Sequence, residues 1–284
     1  MNEIKYLSGQ EIYKKLYEGI KTMNVVLPDD VEKSLKHARK KESNQSAILV
    51  LDAILNNIEI AREERLPVCQ DTGLVLIFIE QGYQLMVQET SLNEIIFHAV
   101  ENAYKDGYFR KSVVLDPLKN RVNTGNNLPP VIYHDMVPGH GLKISCLAKG
   151  FGSENYSKTF MLKPTQGENA VINVVKETMQ IAGGNCCPPV ILGVGIGGTM
   201  DWAAKMSKKA LLRNINDYHQ DLFYKNLEEK ILRAVNSIGT GAGGLGGSTT
   251  ALAVHIETGP THIAGLPVAI SVNCWAERKI ILAW

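Results

Sequence analysis

Three of the five cysteines stand beside turn-forming residues rather than inside apolar runs. Cys69 opens the strip Cys69-Gln70-Asp71-Thr72-Gly73, Cys187 precedes Pro188-Pro189, and Cys274 precedes Trp275-Ala276. Turns bring thiolates from separate segments to one point, and the thiolate is the form of cysteine that binds metal. Close C-x-x-C pairs, the spacing of zinc ribbons and ferredoxin-type clusters, do not occur. The other readings of each cysteine are a buried apolar thiol and a catalytic thiolate.

Two glycine-rich strips accompany them. Gly193-Val194-Gly195-Ile196-Gly197-Gly198 satisfies G-x-G-x-x-G between a strand and a helix. A dinucleotide site needs a second strand ending in an acidic residue about twenty positions on. Asp217 has that distance but sits in a polar stretch, so nicotinamide chemistry trails the other readings. Gly239-Thr240-Gly241-Ala242-Gly243-Gly244-Leu245-Gly246-Gly247 lacks the Gly-Lys-Ser/Thr of a phosphate-binding loop. Both strips fit tight turns of positive φ, or close approach of backbone N–H groups to an anion or inorganic cluster.

The elements that must position these residues read as helical first and mixed afterwards. Ser8 caps a helix over 11–19, Asp29 or Asp30 starts a second after Pro28, and the apolar residues of 48–60 recur at helical spacing. A buried strand is predicted at 74–79, an amphipathic helix at 92–106, and short strands at 130–133 and 142–147. Helices follow at 168–182, 202–214 and 219–236, with strands at 190–194, 251–256 and 267–273. No repeat or low-complexity linker interrupts the chain. The expectation is an α/β fold, a mixed sheet surrounded by helices, as one domain over 1–284. Residues 1–65 form its mostly helical segment and 66–284 its α/β part.

Thirty basic against twenty-nine acidic side chains leave a net charge of +1, which excludes the strongly basic footprint of a nucleic-acid or membrane-surface protein. No apolar run reaches the eighteen or so residues of a spanning helix. The start MNEIKYLSGQ has no apolar leader. Five scattered cysteines are not a disulfide framework, so the expected location is cytoplasmic.

Several motifs occur together. Cys69-Gln70-Asp71-Thr72-Gly73, Asn185-Cys186-Cys187-Pro188-Pro189 with the glycines of 193–198, Gly259-Pro260-Thr261-His262 and Cys274-Trp275 resemble the motifs of class I fumarases and L(+)-tartrate dehydratases. Ala148-Lys149-Gly150-Phe151-Gly152-Ser153-Glu154 resembles a further motif of that family, and the matches keep the family's order from about residue 65 to 278.

The resemblance implies a [4Fe–4S] cluster on Cys69, Cys187 and Cys274. Cys187 is chosen over Cys186 because the family's ligand directly precedes Pro-Pro, and Cys146 is left as a strand-core thiol. Three ligands for four irons leave one iron open as a Lewis acid for a substrate hydroxyl. Asp71 and His262 would form the acid-side pair, while Gln70, Arg110 and the Gly152 N–H would contact substrate. Phe151 departs from the family pattern, where relatives carry another glycine. In single-chain relatives the base and further carboxylate-binding residues lie in a C-terminal domain, so a separate β subunit and an α2β2 assembly are expected. The implied reaction is hydration of fumarate to L-malate, or dehydration of L(+)-tartrate to oxaloacetate. A different class, a non-catalytic iron–sulfur protein, would favour four cysteine ligands and have no use for Asp71, His262 and Arg110.

Overall fold

The computed structural model of the chain describes residues 4–284. The first elements are β1 (Lys5–Leu7), α1 (Gly9–Val25), α2 (Asp29–Lys41), α3 (Gln45–Glu64), β2 (Leu74–Gly82), β3 (Leu85–Val87) and α4 (Leu92–Asp106). Then come β4 (Val131–Val137), β5 (Leu142–Lys149), α5 (Phe151–Glu154), β6 (Lys158–Leu162), α6 (Gly167–Ala182) and β7 (Val190–Gly198). The chain ends with α7 (Met200–Ala210), α8 (Leu222–Asn236), β8 (Ala251–Thr261), β9 (Leu266–Asn273) and β10 (Arg278–Ala283). The α/β class expected from the sequence is the one observed.

These elements pack as two compact units, each assembled from separated stretches of chain. The first comprises residues 4–27, Ile60–Gly150 and Arg278–Trp284. Its four-stranded mixed sheet runs β10-β5-β2-β4, with β2 antiparallel to β5 and parallel to β4. Alternation decides which face is covered. Val75, Ile77 and Ile79 of β2, with Ile144 and Cys146 of β5, join one core with Ile12, Leu16 and Ile20 of α1 and Ile96, Ala99 and Val100 of α4. Both helices begin at a serine cap. Ser8 Oγ accepts from Gln10 N–H, and Ser91 exchanges hydrogen bonds with Glu94 in a capping box.

The second unit, Pro28–Glu59 with Phe151–Glu277, carries a sheet of order β6-β9-β7-β8. Here β7 is parallel to β8 and antiparallel to β9. Val190, Leu192, Val194 and Ile196 of β7 pack in one core with Val171, Val175 and Met179 of α6 and Leu227, Ile231 and Val235 of α8. Gly193 and Gly195 point the other way, toward α7. A Cβ on Gly193 would lie 2.0 Å from Ser207 O, and one on Gly195 would lie 2.0 Å from Ala203 O. The G-x-G-x-x-G strip therefore belongs to the strand itself, where it lets a helix backbone seat directly on the sheet.

The helical first third is divided between the two units. Four short strands, β1, β3, β6 and β10, went unread in the sequence; β10 is the edge strand that returns the end of the chain to β5. Among the described residues no helix is long and apolar enough to cross a membrane.

Candidate functional site

In the first unit, the strip from Cys69 to Gly73 is the approach to β2 and is held by buried hydrogen bonds. The Gly73 N–H donates to Asp71 Oδ1 (3.0 Å), closing a turn of the kind Asp side chains make with their own backbone. Gly73 has φ +79°, and a Cβ there would lie 2.8 Å from the Lys149 carbonyl carbon, so only glycine fits. Tyr104, fully buried, donates its hydroxyl to Thr72 O at 2.6 Å and lies 3.1 Å from Gly73 O. Burial raises its pKa, the opposing effect of Arg278 being smaller. Asn127 Nδ2 donates to Gly73 O (3.2 Å), and Asn127 Oδ1 accepts from Ser112 N–H (2.8 Å).

One further bond joins two sequence-distant candidates. Thr72 Oγ1 donates to the carbonyl of Arg110 at 2.8 Å, tying the loop after α4 to the Cys69–Gly73 strip. The motif that carries Cys69, Gln70 and Asp71 is thereby fixed to the backbone of Arg110. Gln70 and Arg110 are exposed, and Cys69 and Asp71 half-buried.

In the second unit, Cys187 ends the short turn Gly183–Cys186 in left-handed conformation (φ 54°, ψ 62°), its N–H donating to Gly184 O at 3.1 Å. A non-glycine residue held there is strained, a condition that recurs at functional positions. The thiol of Cys187 is exposed, whereas Cys186 is fully buried with its Sγ donating to Gly183 O (3.4 Å). The second glycine strip buttresses this turn. The Gly243 N–H donates to Pro188 O (2.9 Å), and a Cβ on Gly244 would lie 2.5 Å from the Gly184 Cα.

Cys274, half-buried, follows Asn273, which pairs with Ile191 in the β7–β9 register. Cys187, three residues before β7, and Cys274, directly after β9, therefore occupy the same end of this sheet. Gly152 lies exposed in α5, with no atom within 4 Å of where its Cβ would be. Packing inside the chain does not require glycine there. Glu154, at the end of α5, is paired with Lys208 of α7 and accepts from Ser157 Oγ at 3.1 Å.

His262 is placed differently. It follows Thr261, whose register partner is Gly198 and whose hydroxyl donates to Gly198 O (3.0 Å). That is the opposite end of β7 from Cys187 and Cys274, and the nine residues of that strand span about 26 Å at ~3.3 Å per step. Its turn is tight, with Gly265 N–H donating to His262 O (3.0 Å) and Ala264 N–H donating to His262 Nδ1 (3.2 Å). Within one chain, then, His262 is not brought to the thiols of the second unit.

The donor set separates into two kinds of cysteine. Cys69, Cys187 and Cys274 are at least partly accessible and lie outside helices and strands. Cys146 and Cys186 are fully buried, and burial pushes the Cys146 thiol up to about 12, far from a ligand thiolate. Among the described residues no group of three or more His, Cys, Asp or Glu side chains is gathered for a single metal ion. Sequence reasoning missed Tyr104, Asn127 and Arg278, because a buried hydrogen bond to a loop carbonyl leaves no mark on residue spacing.

The family model for fumarate hydratase (Fumerase) matches residues 13–282, and the chain belongs to that family. It is 43% identical over 262 residues, 90% of this chain and 92% of the relative, to a putative L(+)-tartrate dehydratase subunit alpha of Methanocaldococcus jannaschii. It is 31% identical over 277 residues, 95% of this chain and 91% of the relative, to an L(+)-tartrate dehydratase subunit alpha of Escherichia coli strain UTI89. The chain is thus a hydro-lyase subunit.

Proposed function

We propose that this chain is the α subunit of a [4Fe–4S]-dependent hydro-lyase that reversibly hydrates fumarate to L-malate with a separate β subunit. The observation that carries this reading is the bond from Thr72 Oγ1 to the Arg110 carbonyl, which holds the Cys69–Gly73 strip against the backbone of the residue that would bring a guanidinium. A dicarboxylate substrate needs such a cation for recognition, and the planar guanidinium forks onto a carboxylate. The relatives' names favour a second reading, L(+)-tartrate to oxaloacetate, which differs by one substrate hydroxyl.

In this reading Cys69, Cys187 and Cys274 hold the cluster, which supplies a Lewis acid for the hydroxyl that leaves or adds. Gln70 and the Gly152 N–H orient substrate, and Arg110 takes one carboxylate. Asp71 holds the proton of the acid half-reaction together with an imidazole. The separation of His262 from Cys187 and Cys274 along the sheet favours delivery of that imidazole from a second α subunit, which gives the α2β2 assembly a catalytic reason. The β subunit supplies the base for the C–H proton and further carboxylate contacts. A cytoplasmic location suits thiols that must stay reduced.

Iron and acid-labile sulfide per chain in anaerobically purified protein test this reading. About four of each are expected for a cubane cluster, lost in Cys69→Ser, Cys187→Ser and Cys274→Ser and kept in Cys146→Ser. Fumarate and L-tartrate are then assayed with the β subunit, and added substrate should change the cluster spectrum. Negligible iron and sulfide after reconstitution sinks the proposal. A cluster indifferent to both substrates makes the protein a non-catalytic iron–sulfur protein.

A further inference from the structure

Among the described residues Arg278 is the largest fully buried side chain, at 1% exposure. Removing a guanidinium from water is costly unless its donors are used. Two of its nitrogens are spent on backbone. Nη1 donates to Asp71 O at 2.6 Å, and Nη2 reaches Ala148 O at 3.4 Å, while Nε has no partner. The two carbonyls belong to different segments, the Cys69–Gly73 strip and the end of β5. A single planar fork therefore fixes the spacing of that strip from the sheet.

The geometry extends to the Asp71 side chain. A Cβ on Gly150 would lie 3.2 Å from Asp71 Oδ2 and 3.5 Å from Arg278 Nη2. Carboxylate and guanidinium thus both lie against the same small residue, and a side chain at 150 would press on the carboxylate and touch the guanidinium. Lys149, also 1% exposed, donates to Gly150 O at 3.1 Å and adds a second buried cation at this corner.

We propose that Arg278 is a positioning residue for the reaction: its fork on the Asp71 and Ala148 carbonyls sets the orientation of the Asp71 carboxylate and the exit of Cys69 from the strip. Resting on the hydro-lyase reading above, the inference adds a residue that touches neither substrate nor cluster. Lysine cannot replace it, because an ammonium on a flexible stem keeps the charge and loses the two-pronged geometry.

The test compares Arg278→Met, Arg278→Lys and Gly150→Ala with Leu282→Ala, a core truncation in the same unit chosen for comparable thermal destabilisation. Each is prepared anaerobically with the β subunit and read for melting temperature, iron and sulfide per chain, cluster spectrum with and without substrate, and kcat and KM separately. The expected result for Arg278→Met and Arg278→Lys is a kcat at least thirtyfold lower, KM within threefold, an altered substrate-induced spectral change, and no rescue by lysine. Gly150→Ala, which keeps both side chains and presses a methyl on the Asp71 carboxylate, should give the same split and serves if the Arg278 variants do not fold. Losses no larger than those of Leu282→Ala at matched stability, or full rescue by lysine, overturn the positioning role while leaving the hydro-lyase reading intact. A wild-type complex with neither cluster nor activity overturns both.

Discussion

Replacing Gly195 with alanine tests how β7 and α7 are fitted together. The added Cβ would lie 2.0 Å from Ala203 O and 2.7 Å from Ser207 N, both backbone atoms of α7. No side chain can rotate away, so the helix must lift by more than ~1 Å to reach ordinary contact, and such a gap forfeits a quarter to a half of the dispersion energy along the seam. Overpacking of a close-packed core costs about 1–3 kcal/mol, and with only backbone to yield the upper end, about 3 kcal/mol, applies. For a unit of this size each kcal/mol moves the melting point by roughly 2–4 °C, so Gly195→Ala should melt about 6–12 °C below the wild type. Gly141→Ala is the control, since its Cβ would meet only Trp284 O at 3.9 Å; it should stay within about 0.5 kcal/mol. Differential scanning calorimetry under anaerobic conditions reads both. If Gly195→Ala melts within about 2 °C of the wild type, the close-packing account of the glycine strip is wrong, and a ligand role for it reopens.

Two further outcomes follow from buried ionisable groups. Burial holds the Cys146 thiol protonated up to about 12. Its contribution is complete below the unfolded thiol value of about 8.5 and falls as pH rises toward the folded value. Cys146→Ala should therefore flatten the alkaline fall of stability by up to ~1.4 kcal/mol per pH unit, measured by urea unfolding, while a thiol reagent on the folded apoprotein labels Cys187 and spares Cys146. Glu42 is buried, which alone would raise its pKa, but donors from Asn44, Ser248 and Ser43 outweigh that and hold it below 4.5. Its stabilisation is present above that ordinary value and lost as pH falls, so Glu42→Gln should cost about 1–3 kcal/mol at pH 7 and converge with the wild type in acid.

Periodicity and capping made most elements legible. Leu92–Asp106 is helical over the range its apolar spacing predicts, because Ser91 and Glu94 close its start and Gly107 its end. The strip before β2 was legible as a turn, and the Gly73 N–H closes one there onto Asp71 Oδ1. What sequence could not supply was the meaning of glycine. Gly193-Val194-Gly195 is written alike whether a phosphate or a helix backbone fills the space beside it, and here it is the helix. Nor could it choose between Cys186 and Cys187 on physical grounds; one backbone conformation buries the first thiol and exposes the second.

The sequence by itself determined the class of secondary structure along the chain and the residue types available for ligation and proton transfer, because local spacing and side-chain chemistry are properties of short segments. Tertiary structure alone decided which of those residues share a support. Thr72 reaches Arg110, Arg278 reaches Asp71, and the β7 register sends His262 to the far end from Cys187. Those pairings depend on strand order and on long-range hydrogen bonds between segments up to 207 residues apart, which no window of sequence contains.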